Sequence, residues 1–83
     1  MRYIKELPGS GFKIGLYQWN NKYIIKIESG MYEQTYKIDD YEFQSPEEIE
    51  TCMDETFLKA VANRFNEMHG DFTDSLKRND MLF

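Results

Sequence analysis

Two aromatic residues and four lysines lie close together in the first half of this sequence, and these residue types suit binding rather than catalysis. The residues are Lys13, Tyr17, Trp19, Lys22, Lys26 and Lys37. Aromatic rings on which bases stack, combined with cations that contact phosphates, are typical of surfaces that bind single-stranded nucleic acid. Tyrosine and tryptophan are equally typical of the cores of protein–protein interfaces. The residue types therefore indicate a binding surface and leave the kind of partner open.

Residues able to catalyse a reaction are few. The one histidine, His69, is predicted at a helix end, where a cation meets exposed carbonyl groups favourably. The chain contains no histidine besides His69 that could activate the thiol of Cys52. We therefore interpret Cys52 as a small buried hydrophobic residue. No cofactor-binding loop is present, so we expect a protein that is not an enzyme and has neither catalytic residues nor a cofactor.

A run of carboxylates raises the question of a calcium site. Its members are Asp39, Asp40, Glu42, Glu47, Glu48, Glu50, Asp54 and Glu55. An EF-hand loop requires acidic or amide side chains at its first, third and fifth positions and glycine at its sixth. Counted from Asp39, the third and fifth positions are Tyr41 and Phe43, and the sixth is Gln44. We therefore expect no metal site and interpret the run as a solvated acidic surface.

Alternation of apolar and polar residues places the aromatic and basic residues on strands. The predicted strands cover residues 2–7, 12–19, 22–28 and 31–38. The turn cluster Pro8-Gly9-Ser10-Gly11 ends the first of them, which is predicted as an edge strand. Asn20-Asn21 and Ser29-Gly30 each provide a two-residue turn. The strands are therefore expected to form an antiparallel meander.

The two-residue turns assign every side chain to one of two faces. The inner face is apolar and consists of Phe12, Ile14, Leu16, Tyr23, Ile25, Ile27, Tyr32 and Tyr36. The opposite face, which we call the outer sheet face, presents Lys13, Gly15, Tyr17, Trp19, Lys22, Ile24, Lys26, Thr35 and Lys37. Gly15 has no side chain and leaves a bare patch where a base or a backbone can approach.

The same register predicts specific cross-strand partners. It opposes Ile27 to Tyr32 and Tyr23 to Tyr36. It also opposes Lys13 to Glu28 and Lys26 to Glu33, and opposite charges across a ladder stabilise the pairing.

A strong helix start follows the strands. Ser45 is placed to cap the helix, Pro46 suits its first position, and Glu48 completes a capping box. The apolar residues before and after Asp54 point in directions roughly a third of a turn apart. We therefore predict a short helix over residues 46–53, a bend near Asp54, and a main helix over residues 55–69 that ends at Gly70.

These elements predict an α+β fold in which a meander of three to four strands carries a C-terminal helical segment on one face. Residues 1–70 are expected to form one compact domain, and residues 71–83 a tail that is partly helical or frayed. The helical part of the core is predicted to be Phe57, Val61, Phe65 and Met68.

Charge is distributed unevenly along the chain. Residues 1–38 contain six basic and three acidic residues, a net charge of +3, whereas residues 39–83 contain four basic and twelve acidic residues, a net charge of −8. The total of −5 repels polyanions at long range. A single cysteine and the lack of any run of about 18 apolar residues favour a cytoplasmic protein without a membrane partner.

The order of four strands and a helix, together with the basic and aromatic sheet, resembles the ssDNA-binding coactivator-type domains. Those domains have four antiparallel strands followed by a helix and work as dimers. The resemblance implies single-stranded nucleic-acid binding by the sheet.

Two functions are therefore open for the outer sheet face. Protein contact or self-association is favoured, because the chain is acidic and Glu28 and Glu33 are expected to neutralise two of the lysines. Single-stranded nucleic-acid binding is the alternative. In both cases the predicted binding residues are Lys13, Tyr17, Trp19, Lys22, Ile24, Lys26 and Lys37.

Overall fold

A computed structural model describes residues 1–9 and 11–81 of the chain, so Ser10 of the predicted turn and the last two residues of the predicted tail lie outside the described residues. The elements are β1 (Arg2–Leu7), β2 (Lys13–Trp19), β3 (Lys22–Ser29), β4 (Tyr32–Asp39), a 3₁₀ turn (Asp40–Glu42), α1 (Pro46–Cys52) and α2 (Glu55–Arg78). The strands form one antiparallel sheet in the order β1-β2-β3-β4. The predicted α+β class and meander are confirmed.

The two hairpin turns differ in type, and the second turn was predicted one residue out of place. Asn20 and Asn21 both have positive φ, 57° and 63°, as a type I′ turn requires. In the second turn Ser29 pairs with Tyr32, so the central residues are Gly30 and Met31 rather than Ser29 and Gly30. A type II′ turn needs positive φ only at its first central position, and Gly30, with φ of 60°, occupies that position.

This shift changes the partners across β3 and β4 and leaves the faces unchanged. Ile27 opposes Gln34 instead of Tyr32, and Tyr23 opposes Ile38 instead of Tyr36. The predicted pair of Lys26 with Glu33 is likewise wrong, because Lys26 opposes Thr35. When both central residues of the turn lie one position later in the chain, each residue of β3 pairs with a residue two positions later in β4. Because side chains alternate with a period of two, every residue keeps its predicted face.

The helices cover the inner face of the sheet and enclose the core. Its buried members are Leu7, Ile14, Leu16, Tyr23, Ile25, Ile27, Ile49, Val61 and Phe65. Phe12, Phe57 and Met68 from the predicted core are partly buried against it. The rings of Phe12 and Phe65 lie 5.6 Å apart, which joins the residue just before β2 to α2. The predicted inner face is therefore the face that packs on the helices.

The bend between the helices is confirmed, although the capping differs from the prediction. α1 ends at Cys52, and α2 begins after Asp54, whose Oδ1 accepts a hydrogen bond of 2.8 Å from the amide of Phe57. Ser45 makes no capping hydrogen bond through its side chain, and Glu48 accepts from the amide of Gln44 instead. The predicted capping box is therefore wrong. Only α2 has a side-chain cap at its start.

Cys52 is exposed, contrary to its predicted burial. It is the last residue of α1, whereas Ile49, one turn earlier, is completely buried. The short helix turns Ile49 towards the sheet, and the bend that follows leaves Cys52 at the surface.

Helix α2 continues beyond Gly70, so its predicted end is wrong. Residues 71–78, which were predicted as a partly helical or frayed tail, belong to this helix. A glycine inside a helix costs only about 1 kcal/mol, and the residues after it are compatible with helix. The helix ends where Asp80 adopts a φ of 57° and the amide of Met81 donates to the carbonyl of Leu76 at 2.8 Å. No helix within the described ranges is long and apolar enough to cross a membrane.

The capping difference yields a stability prediction. We expect Asp54→Ala to lower the free energy of unfolding by about 1 kcal/mol, since it leaves an amide of the first turn of α2 without its acceptor. The matched variant Ser45→Ala, which removes a side chain without a capping bond, should change it by less than about half of that. Urea denaturation followed by circular dichroism measures both values. A larger loss for Ser45→Ala than for Asp54→Ala would contradict this assignment.

Candidate binding surface

The outer sheet face is a grid of side chains in which an apolar corner meets charged rows. Tyr3, Tyr17, Ile24 and Lys37 form one row across the four strands. On one side of this row lies a row of Trp19, Lys22 and Asp39. On its opposite side lies a row of Glu6, Gly15, Lys26 and Thr35. Lys13, Glu28 and Glu33 form the row at the far end. The sheet therefore brings all seven predicted binding residues to one face.

The apolar corner consists of Met1, Trp19 and Ile24, which line one groove, and of Tyr3, which lies beyond Tyr17 in the row of Ile24. Trp19 is 53% exposed and Tyr3 is 56% exposed, whereas Ile24 is only 3% exposed. Ile24 lies outside the inner core, so its neighbours on the outer face bury it. It therefore supports the corner from below and offers a partner little surface of its own. Sequence reasoning missed Met1 and Tyr3, because the alternation of the first strand is weak.

Tyr17 is held by its neighbours on the same face. A Cβ added to Gly15 would lie 3.0 Å from Cε1 of Tyr17, so the Tyr17 ring covers the patch that was predicted to be bare. Nζ of Lys26 lies 5.2 Å from the centre of this ring, a cation–π contact. The ring of Tyr3 packs edge-on at 5.4 Å. Trp19 is therefore the more accessible of the two predicted aromatic residues.

Carboxylates balance the lysines on this face. By register and alternation the described strands bring four lysines and four carboxylates to it, the latter being Glu6, Glu28, Glu33 and Asp39. The predicted pair of Lys13 with Glu28 is confirmed, with 3.9 Å between Nζ and Oε2. Asp39 was missed because the predicted last strand stops one residue too early. The outer sheet face is therefore close to neutral, because Glu6 and Asp39 join the two glutamates that the sequence already placed beside the lysines.

The shortest ion pair of the face joins Lys22 and Asp39. Nζ of Lys22 donates a hydrogen bond of 2.5 Å to Oδ1 of Asp39. This hydrogen bond, and secondarily the charge attraction, raises the pKa of Lys22 above its usual 10.5 and lowers the pKa of Asp39 below its usual 3.8. Both charges are therefore retained over a wider pH range than in an unpaired lysine and aspartate. Both groups remain in contact with water, so the pair orients side chains more than it stabilises the fold.

A shallow groove of about 650 Å³ runs beside Trp19. Its lining consists of Met1, Trp19, Ile24, Lys26, Glu33, Thr35 and Lys37. One part of this lining is apolar, and the other part contains two cations and one carboxylate. Such a groove suits an extended segment that carries an apolar side chain and charges of both signs.

The two residues considered for catalysis lie away from this groove. His69 is inside α2 rather than at a helix end, and its Nδ1 lies 3.0 Å from the hydroxyl of Tyr32. Cys52 belongs to the lining of a separate apolar cavity of about 200 Å³ between the sheet and the two helices. Within residues 1–9 and 11–81, no three His, Cys, Asp or Glu side chains come together as metal ligands.

Comparison with known proteins returns no match at any level. No protein-family model matches the sequence, no curated protein matches it, and no solved structure matches the fold. The outer sheet face is therefore interpreted from its own residues.

The ion pair of Lys22 and Asp39 yields a pH prediction. We expect Asp39→Asn to lower the pKa of Lys22 towards 10.5, because the substitution removes the acceptor and the charge that raise it. Any stability that Asp39 contributes is present at neutral pH and is lost as the pH falls through its lowered pKa. NMR titration of the lysine side chain measures the shift. Glu33→Gln, a similar change at the far end of the face, is the control, and equal Lys22 pKa values in Asp39→Asn and wild type would contradict the pairing.

Proposed function

We propose that this protein is a non-enzymatic binding module that contacts another protein through its outer sheet face. The observation that carries the proposal is the charge balance around an exposed apolar corner. Lysines and carboxylates share the face with Trp19, Tyr3 and Met1 in equal number, and this mixture fits a protein partner, which carries charges of both signs.

The corner has the composition of an interface core with a polar rim. Trp19 and Tyr3 are half exposed, and Ile24, which lines the same groove as Trp19, is buried. Burying aromatic side chains supplies most of the energy in such contacts, because it removes a large apolar area from water. The pair of Lys22 with Asp39 lies in the same row as Trp19 and favours partners of complementary charge.

The same charge balance weakens the nucleic-acid alternative. Phosphate affinity depends on cations that release counterions, and Lys13 and Lys22 already pair with carboxylates. Lys26 contacts the ring of Tyr17, and this ring covers Gly15. The face therefore combines little net positive charge with two half-exposed aromatic rings, those of Tyr3 and Trp19.

One observation nevertheless keeps single-stranded nucleic acid as the second candidate. The groove beside Trp19 also contains Lys26 and Lys37, so a stacking surface and two cations share one concave site. Under either candidate we assign the module to the cytoplasm, an assignment supported by its single cysteine, which is free and exposed.

Site-specific photo-crosslinking tests the main proposal. A photoreactive phenylalanine analogue replaces Trp19 in the full chain, which is expressed in its native cell. We expect a discrete protein adduct that survives nuclease treatment, because the corner is the predicted contact. The same analogue at Asn63, an exposed residue on the helical side of the molecule, is the matched control and should give no such adduct.

Each outcome of this experiment decides for or against protein contact. An adduct of twice the chain mass identifies a second copy as the partner, and an adduct of another mass identifies a different protein. An adduct that nuclease removes contradicts the proposal, as does equal labelling from positions 19 and 63.

A titration separates the nucleic-acid candidate. Trp19 is the only tryptophan, so its fluorescence reports binding at the groove directly. We expect single-stranded DNA and RNA oligonucleotides to cause no saturable quenching at physiological salt, because the face is nearly neutral. Tight, salt-sensitive quenching that Lys26→Glu and Lys37→Glu abolish, and that Lys59→Glu on α2 leaves intact, would favour nucleic acid instead.

A further inference from the structure

The two edges of the sheet are not equally suited to pairing with another strand. β1, at one edge, has 6 residues, and its register with β2 shifts between Tyr3 and Lys5, as at a β-bulge. Such a shift disrupts pairing with a further strand. β4, at the other edge, has 8 residues, pairs with β3 in one unbroken register and contains no proline. Among the residues that the structure describes, no strand pairs with the outer edge of β4, so this edge is open to a partner strand.

Alternate residues of β4 point their backbone groups out of this edge. Ser29 and Tyr32 flank a two-residue turn and therefore form a hydrogen-bonded pair. At the far end of the strand, the amide of Asp40 donates a hydrogen bond of 3.0 Å to the carbonyl of Asn21. Because hydrogen-bonded pairs recur at every second residue, the even-numbered residues of β4 bond to β3. The residues whose amide and carbonyl groups point away from β3 are Glu33, Thr35, Lys37 and Asp39.

Helix α2 contacts β4 through side chains of the inner face. Nε2 of Gln34 donates a hydrogen bond of 3.1 Å to the carbonyl of Val61, and the ring of Tyr36 packs against Phe57. The helix therefore packs on the inner face of β4 rather than against its edge. The side chains of Glu33, Thr35 and Lys37 lie on the outer sheet face and are exposed.

The outward-pointing residues carry opposite charges at equal distances from Thr35. Glu33 lies two residues before Thr35, and Lys37 lies two residues after it. Within residues 1–9 and 11–81, neither Glu33 nor Lys37 forms a salt bridge. Two such strands placed antiparallel, with Thr35 opposite Thr35, therefore bring each Glu33 opposite a Lys37, an arrangement that stabilises a ladder.

We propose that two copies of this chain pair antiparallel through their β4 edges, with Thr35 of each copy on a twofold axis perpendicular to the sheet. Glu33 then lies opposite the partner's Lys37 on the outer sheet face, and Tyr32 lies opposite the partner's Ile38 on the inner face. The outward-pointing pairs centred on Thr35 exchange about six backbone hydrogen bonds. The strands of both copies join into one continuous sheet. The contact closes on itself, so it produces a dimer rather than a fibre.

Charge complementarity supports a second copy as the occupant and selects this register. Only outward-pointing residues can exchange hydrogen bonds across the edge, so the two strands slip by two residues at a time. With Tyr36 on the axis, Glu33 would oppose the partner's Asp39, and with Lys37 on the axis two lysines would meet. A slip in the other direction separates Glu33 from Lys37 and shortens the paired segment. The register centred on Thr35 therefore pairs almost the whole of β4 and opposes unlike charges.

A contact of this size supports a reversible dimer. The paired residues 32–38 span about 23 Å, and one strand edge against another buries less than the roughly 1,200 Å² of a standard interface. We therefore expect a dissociation constant on the order of 100 µM. The dimer uses the edge of the sheet and leaves both outer sheet faces free, so it does not depend on the proposed function. The groove beside Trp19 is lined in part by Glu33, Thr35 and Lys37, so the two grooves become neighbours across the axis.

Sedimentation velocity of the full chain, from tens of micromolar to about 1 mM, tests the proposal. We expect the wild type to shift with concentration from the 10.0 kDa monomer to a dimer of twice that mass. Glu33→Lys and Lys37→Glu should each weaken the dimer by about tenfold, because each makes two attractive pairs repulsive. The double variant Glu33→Lys/Lys37→Glu should recover most of this loss, since it restores opposite charges.

Hydrogen exchange measured by NMR at both ends of this concentration range locates the contact. The amides of Glu33, Thr35 and Lys37 should exchange more slowly in the dimer, because they gain acceptors on the partner strand. The amides of Gln34 and Tyr36 already bond to β3 and should change little. This alternation distinguishes pairing through the edge from association through the outer sheet face, which adds no backbone hydrogen bonds to β4.

Matched controls separate this dimer from unfolding and from the outer sheet face. Glu6→Lys makes the same charge change on the β1 edge and should leave the dimer intact. Trp19→Ala should also leave it intact, whereas it removes the corner that the proposed function needs. Glu33 and Lys37 are exposed, so circular dichroism should show an unchanged fold in their variants.

Three results overturn the proposal. The first is a wild type that stays monomeric over the whole concentration range. The second is a double variant that dimerises no better than the single ones, or a Glu6→Lys variant that is weakened as much as Glu33→Lys. The third is slower exchange in the dimer that does not alternate along β4.

Discussion

The alternation of side chains along strands joined by two-residue turns is the constraint on which the rest of this structure depends. Each turn reverses the chain without an extra residue, so Ile14 and Ile27 meet on one face while Lys13 and Glu28 meet on the other. The inner face then offers a continuous apolar surface to Ile49 and Val61 from the helices. A turn with one residue more or fewer would move polar side chains into this core, so the core and the outer sheet face are set together.

On the outer sheet face, the presence of several basic residues does not produce a basic surface. The lysines of the predicted site lie where the sequence places them. Their partners belong to other strands, and Asp39, at the end of β4, reaches Lys22 because the second hairpin brings it back beside β3. Tyr17 likewise covers Gly15 and contacts Lys26. The outer sheet face is therefore close to neutral, and the Tyr17 ring fills the space above Gly15. Both features favour contact with a protein.

The second helix adds a feature that the sheet does not explain. Its apolar stripe extends past the sheet by about two helical turns, and Gly70 lies inside the helix rather than at its end. Helix formation past Gly70 costs little, and Asp80 provides the left-handed residue that ends it. A long amphipathic helix on a small sheet therefore leaves Phe72 half exposed.

Local signals in the sequence determined the strands, the first turn, the two faces, the bend at Asp54 and the α+β class, because these depend on residues close together in the chain. Tertiary structure decided the partners of Lys26, the exposure of Cys52, the burial of Ile24 and the end of α2. Each of these depends on several segments meeting or on a choice between nearly equal local conformations. Gly30 illustrates the limit, since it suits either position of a two-residue turn, and only the pairing of β3 with β4 selects between them.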